Sequence, residues 1–205
     1  MTLFPPEYFQ RQDNSDDRYF YNMPRKVVHI DAEAIAALSQ IFGQLLPPGG
    51  TYLDLMSSWR THLPDTLLSA HVTGLGMNRD EMADNPQLNE IVVHNLNQTP
   101  ALPFDDEQFD AVMCTVSVQY LTRPIEIFTE VNRVLKSNAP FIISFSNRCF
   151  PSKAVAVWRG TDDEQHISLV SHYLAESSGW SDVEARYKPG HDDVDPLYVL
   201  WAYKK

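Results

Sequence analysis

At 205 residues the chain can bury one full-sized core without metals or disulfides. Sixteen Lys plus Arg against 27 Asp plus Glu give a formal net charge of −11, a field that repels phosphate backbones and argues against nucleic acid as a partner. A composition of 43% hydrophobic and 21% charged residues excludes long disorder.

Residues 1 to about 26 carry Pro5, Pro6 and Pro24, a polar stretch from Gln10 to Arg18, and the aromatic run Tyr19-Phe20-Tyr21. Three adjacent aromatics seldom stay in solvent, so this arm is expected to pack on the body, as a structural strap or as a lid over a ligand. The domain reading is an arm over 1–30 and a folded domain over 31–205. The start, Met1-Thr-Leu-Phe-Pro-Pro-Glu, has no basic segment followed by an apolar one, so no signal peptide is expected. No apolar run approaches the roughly 20 residues of a membrane span. Cys114 and Cys149 lack CxxC spacing and read as reduced thiols. A cytoplasmic location without membrane association follows as the expectation.

After Asp31, a capping residue, Ile35, Leu38, Phe42 and Leu45 recur at helical spacing, and Pro47-Pro48-Gly49-Gly50 ends the helix. Tyr52–Met56 reads as a first strand, with Ser57-Ser58 opening a turn or a short helix. Ala70–Leu75 is a second strand, and Asn78 caps a helix over Arg79–Ala83. Ile91–His94 and Phe109–Thr115 are the third and fourth strands. Pro124 suits the first turn of a helix whose stripe is Ile125, Phe128, Val131 and Leu135, and Phe141–Phe145 is a fifth strand. A helix near Asp163–Ser177 leads to strands at Asp182–Tyr187 and Leu197–Tyr203, joined by a loop with Pro189, Gly190 and Pro196 that makes them a hairpin. Strands alternating with helices, and apolar almost throughout, imply a parallel sheet covered on both faces. In such a sheet ligands bind beyond the C-terminal ends of the strands, where strand order reverses. That rule selects Asp54–Trp59, Gly76–Asn78, Asn95-Leu96 and Thr115–Ser117.

The segment Leu102-Pro-Phe-Asp-Asp-Glu-Gln-Phe-Asp-Ala-Val112 resembles the "LPF…D…FD-hydrophobic" stretch of class I S-adenosylmethionine-dependent methyltransferases, especially the small-molecule type-11 group. Leu121-Thr-Arg-Pro124, Glu130–Lys136, Tyr52–Leu55 and Val72–Asn78 are similar to neighbouring segments of that family, so the likeness runs over roughly residues 30–147. It implies a Rossmann-like α/β fold: a mostly parallel seven-stranded sheet, a C-terminal antiparallel hairpin, and helices on both faces. It also implies S-adenosyl-L-methionine as cofactor, bound along Asp54, Met56, Ser57, Ser58, Gly76, Met77, Asn78, Asn95, Leu96 and Val116, and a small-molecule methyl acceptor. Asp54 matches the residue that meets the cofactor's amino group; stabilisation of the turn through backbone N–H groups is the other reading.

Three positions depart from the family pattern. The first turn, Met56-Ser-Ser-Trp-Arg60, has none of the family's glycines. Gly76 stands where an Asp or Glu usually binds the ribose hydroxyls, and Asn95 stands nearest the carboxylate that meets adenine, with an amide oxygen able to accept one such bond. These departures motivate the alternative of a catalytically inactive methyltransferase-like binding protein, or of another nucleotide-type ligand on the same sheet edge. Asp110 matches the family but lies at the wrong end of its strand and reads as structural. His166 and His172, six apart, do not fit one helical face, and Asp192, Asp193 and Asp195 lack calcium-loop spacing, so no metal is expected. Cys149 has no partner base and reads as a buried thiol. Tyr120 and His29 are the general-base candidates but read first as packing residues, and no catalytic residue is assigned.

Overall fold

The computed structural model describes residues 4–65, 67 and 71–205. Seven strands form one sheet: β1 Thr51–Leu55, β2 His71–Gly76, β3 Glu90–Val93, β4 Ala111–Thr115, β5 Pro140–Phe145, β6 Glu184–Lys188 and β7 Leu197–Tyr203. Their order is β3-β2-β1-β4-β5-β7-β6, with the first five parallel and the last two antiparallel. The order reverses between β1 and β4, so their C-terminal ends flank a crevice. The expected hairpin is present, with β7 inserted beside β5 and β6 on the edge. The second strand begins at His71; Ala70 lies outside the described residues.

The helices are α1 Asp17–Phe20, α2 Ala32–Leu45, α3 Arg79–Ala83, α4 Pro124–Val134, α5 Ala156–Arg159 and α6 Asp163–Ser177. Asp31 caps α2 by accepting from the Ala34 N–H at 2.8 Å, and Asn78 caps α3 by accepting from Glu81 N–H at 2.9 Å. In α6, Asp162 and Gln165 bond reciprocally across the first turn.

Strand alternation separates two cores. Tyr52, Val72, Met113, Ile142 and Trp201 face α2 through Ala34, Leu38 and Phe42. Leu53, Leu55, Val112, Cys114 and Phe141 face the other way, onto α4 and α6 through Phe128, Val131, Val170 and Tyr173. The strict strand–helix alternation expected from sequence does not hold everywhere. Among the described residues, no helix lies between β1 and β2 or between β3 and β4. The described residues of those crossovers are irregular, and the crossover after β1 is the one that shapes the crevice.

The arm straps itself to the body. Phe4 and Phe9 pack on Tyr173, with Phe4 edge-on at 5.3 Å. The Ala156 N–H donates to the Gln10 carbonyl at 2.7 Å, and the Asp13 N–H to the Ser152 carbonyl at 2.9 Å. Lys153 is fully buried with its ammonium 2.9 Å from Asp13 and 3.1 Å from Asp17; Asp17 also holds Arg11 at 2.8 Å. Burying Lys153 is tolerable because two carboxylates and the carbonyls of Asp13 and Ser15 surround it.

Candidate functional site

A cleft opens at the C-terminal ends of β1, β2, β3 and β4, and the arm forms its outer wall. Asp54, Met56, Ser57, Ser58, Gly76, Met77, Asn78, Asn95, Leu96 and Val116 all line it. Tyr21, from the aromatic run read as a strap or a lid, lines it too, while sequence reasoning missed several other lining residues, among them Arg11, Asp17, Arg25, His62 and Glu81. Apart from Glu81 on α3 and His62 in the first crossover, these come from the aperiodic arm, where no pattern marks a facing direction.

β1 delivers Asp54 at its buried end, where Oδ2 accepts from Ser57 Oγ at 2.6 Å and Thr61 Oγ1 at 2.9 Å. The turn is thus organised by side-chain hydroxyls, not by backbone N–H groups as one sequence reading held. Oδ1 has no partner among the described residues. Burial pushes the Asp54 carboxyl up to about 6, against the pull of the two hydroxyls. Asn85 extends the network, donating to Thr61 Oγ1 at 2.9 Å and to the Ser58 carbonyl at 3.0 Å.

Met56 follows with φ 59°, a left-handed conformation that glycine takes without strain. Val116, at the end of β4, has φ 44°, and His62 has φ 65°. Three left-handed non-glycine residues on one cleft fit the concentration of backbone strain at functional sites. Neither Met56 nor Trp59 fills the crevice. Met56 packs onto the core beneath it, and the Trp59 indole N–H donates to the Val27 carbonyl at 3.2 Å, pinning the loop to the arm.

Gly76 has a steric explanation. The Ser57 N–H donates to the Leu75 carbonyl at 2.8 Å, which lays the loop after β1 across the end of β2. A Cβ on Gly76 would sit 2.4 Å from the Ser57 carbonyl oxygen, so no side chain fits there. The two asparagines are largely committed. Asn78 Oδ1 caps α3 and its Nδ2 donates to the Tyr21 carbonyl at 2.9 Å. Asn95 Oδ1 accepts from the N–H groups of Asn97 at 3.1 Å and Gln98 at 3.3 Å. The acceptor capacity that sequence reasoning reserved for adenine therefore serves a turn.

One carboxylate stands close to the vacated role. Glu81, on the first turn of α3, is buried, bonds Ser58 Oγ, and accepts from the Arg25 N–H at 2.7 Å. On the far side, Tyr120, Phe150 and His29 form an aromatic group, with His29 edge-on to Phe150 at 4.5 Å. The Tyr120 hydroxyl accepts from the Phe150 N–H at 2.8 Å. Burial holds His29 below its ordinary value, with Arg148 adding to the effect, and burial raises Tyr120. Two cleft-lining residues carry a buried polar atom with no partner among the described residues, Thr115 Oγ1 and Arg11 Nε. Such atoms call for an explanation, and a bound polar ligand is one.

The remaining sequence candidates lie elsewhere or serve packing. Asp110 accepts from the Thr51 N–H at 2.9 Å and pairs with Lys136 at 2.8 Å, a structural role. His166 stacks on Trp158 at 3.8 Å and bonds its carbonyl at 2.9 Å. Cys149 does not line the cleft, and burial raises its thiol away from reactivity.

A family model described as "Methyltransferase domain" matches residues 60–143. The match begins at Arg60, the last residue of the glycine-free turn. The biotin biosynthesis bifunctional protein BioHC of Teredinibacter turnerae is 29% identical over 89 residues, covering 43% of this chain but only 15% of that protein. A methyltransferase from Thermotoga maritima, described as a possible histamine N-methyltransferase, superposes with TM-score 0.61 at 15% identity over 83% of this chain and 89% of its own. An S-adenosylmethionine-dependent methyltransferase from Archaeoglobus fulgidus gives 0.60 at 12% identity over 85% and 95%. At these identities the two solved structures establish the fold alone.

Proposed function

We propose that the chain is a class I S-adenosylmethionine-dependent methyltransferase, whose cleft binds S-adenosyl-L-methionine and passes the methyl group to a small molecule; the family match over residues 60–143 supports this. The observation that carries this reading is the meeting of four strand ends at one crevice at the reversal of strand order. The orphaned Thr115 hydroxyl there supports a polar ligand. When bound, the cofactor supplies an activated methyl on a sulfonium, so the protein's task is alignment of donor and acceptor and exclusion of water.

In this reading Asp54 Oδ1 pairs with the cofactor's amino group. The backbone of Met56–Ser58, shaped by the left-handed Met56, accommodates its methionine portion. Met77 and Leu96 provide apolar surface for adenine, and Val116 closes the floor from β4. Gly76, Asn78 and Asn95 contribute backbone and shape more than acceptors. Glu81 takes the ribose role that Gly76 has no room to fill, since a carboxylate keeps lone pairs beyond the two bonds it already makes. The arm, through Tyr21, walls the site and serves as its lid. A cytoplasmic enzyme acting on a soluble metabolite fits this picture; among the described residues no helix is long and apolar enough to cross a membrane.

The glycine-free turn and the blocked Gly76 also favour one alternative, a methyltransferase-like fold that binds a ligand or partner without catalysis. Calorimetric titration with S-adenosylmethionine and S-adenosylhomocysteine separates the two. The enzyme reading expects dissociation constants tighter than about 0.1 mM, that is, about −5.5 kcal/mol or better. No heat and no thermal shift at millimolar ligand would leave the non-catalytic alternative.

A further inference from the structure

We infer that the acceptor side of the cleft recognises a carboxylate, held between Arg11 and Arg25, so that the acceptor is a small carboxylic acid with an apolar body. The inference rests on the reading of the cleft as a methyl-transfer site and deepens it.

Arg11 reaches the cleft from the arm with its side chain only 7% exposed. Its Nη1 is spent on Asp17 at 2.8 Å. Its Nε is buried without a partner, and Nη2 makes no hydrogen bond among the described residues. Nε and Nη2 are the two donors along one edge of the guanidinium, the pair that meets a carboxylate bidentately. Leaving a buried donor unpaired carries a desolvation cost that an arriving anion would remove.

Arg25 adds a second unspent donor pair. Its Nε donates to the Phe20 carbonyl at 3.0 Å, and its guanidinium carbon lies 4.0 Å over the Phe20 ring. Stacking fixes the plane while both Nη atoms stay without a hydrogen bond or carboxylate partner among the described residues. Phe20 ties the two arginines to one region. Its ring lies 5.4 Å from Phe150 and 5.4 Å from the Lys153 ammonium, and Lys153 shares Asp17 with Arg11. The aromatic surface of Tyr120 and Phe150 beside them suits an apolar body. A protein of net charge −11 repels anions in general, so fixed local donors are what an anionic acceptor would require.

A carboxylate at this place has two sources, the acceptor or the cofactor's own methionine portion. Calorimetry on the full chain distinguishes them. With S-adenosylhomocysteine saturating, hexanoate is expected to bind at least about tenfold tighter than hexanamide. Arg25→Gln and Arg11→Lys, the latter keeping a cation for Asp17, are expected to bring that ratio toward one while S-adenosylhomocysteine affinity changes by less than about threefold. Equal binding of hexanoate and hexanamide to the native chain would overturn the inference. So would variants that weaken S-adenosylhomocysteine tenfold but spare 5′-methylthioadenosine, which lacks the carboxylate. If S-adenosylhomocysteine itself does not bind, the same hexanoate–hexanamide comparison without it still decides: a retained preference upholds the anion site while the methyl-transfer reading falls.

Discussion

Asp54 combines three properties that seldom coincide by accident: a strand end at the crevice, burial, and a carboxyl pushed up to about 6. Its ordinary value is 3.8, so between about pH 4 and pH 6 the folded state binds more protons than the unfolded one. Stability from this group therefore falls as pH rises through that window, by about 3 kcal/mol in all. Asp54→Asn is expected to be more stable than the native chain at pH 7.5, with the difference vanishing toward pH 4 in urea unfolding. Pairing with a cationic amino group needs the ionised form, so S-adenosylhomocysteine affinity is expected to weaken as pH falls below about 6. A flat pH profile would remove Asp54 from that role. At Gly76 the expectation is opposite to family logic: Gly76→Asp should not restore ribose binding but destabilise the fold by more than about 1 kcal/mol, because its Cβ meets the Ser57 carbonyl. Glu81→Gln is expected to weaken S-adenosylhomocysteine about tenfold, the effect of losing one bond to a charged group. Asp54 was legible from sequence because it ends an apolar strand. Glu81 was not, because on α3 it reads as one more exposed charge, and only the fold buries it against Ser58 and Arg25.

The element with the most influence on the site is the crossover after β1, which does without a helix among the described residues. It is organised by Asp54, Thr61 and Asn85, pinned to β2 through Ser57, and tied to the arm through Trp59. Sequence reasoning left this stretch as a turn or a short helix, because hydroxyl-to-carboxylate bonding between Ser57, Thr61 and Asp54 leaves no periodic trace. The caps at Asp31 and Asn78 and the start of α4 at Pro124 were legible, since each depends on local chemistry within a few residues. The arm is the second such element. Its attachment centres on Asp17, which bridges Arg11 and the fully buried Lys153 and also accepts from Asn97 Nδ2 at 2.9 Å. Asp17→Asn leaves that ammonium short of a buried partner and is expected to cost about 3–5 kcal/mol in urea unfolding. Asp13→Asn, at a carboxylate 36% exposed, should cost clearly less. Equal losses would mean that the arm is held by Phe4 and Phe9 on Tyr173 and not by its charges.

For the molecule as a whole, the parallel part of the sheet and the terminal hairpin were readable because buried parallel strands are apolar runs and the hairpin loop carries its own prolines and glycine. The crevice followed from that topology with no side-chain detail. What long-range packing alone decides stayed hidden: Arg11 and Arg25 are held by Asp17 and Phe20, and these in turn contact Lys153, far along the chain. The account therefore stands or falls on whether the strand-end cleft receives the cofactor. The most direct measurement is a crystal structure of the chain grown with millimolar S-adenosylhomocysteine. The account predicts the amino acid portion over Met56–Ser58 near Asp54, the ribose near Glu81, and adenine against Met77 and Leu96. Ligand density elsewhere on the molecule, or a cleft holding only water at that concentration, would contradict it.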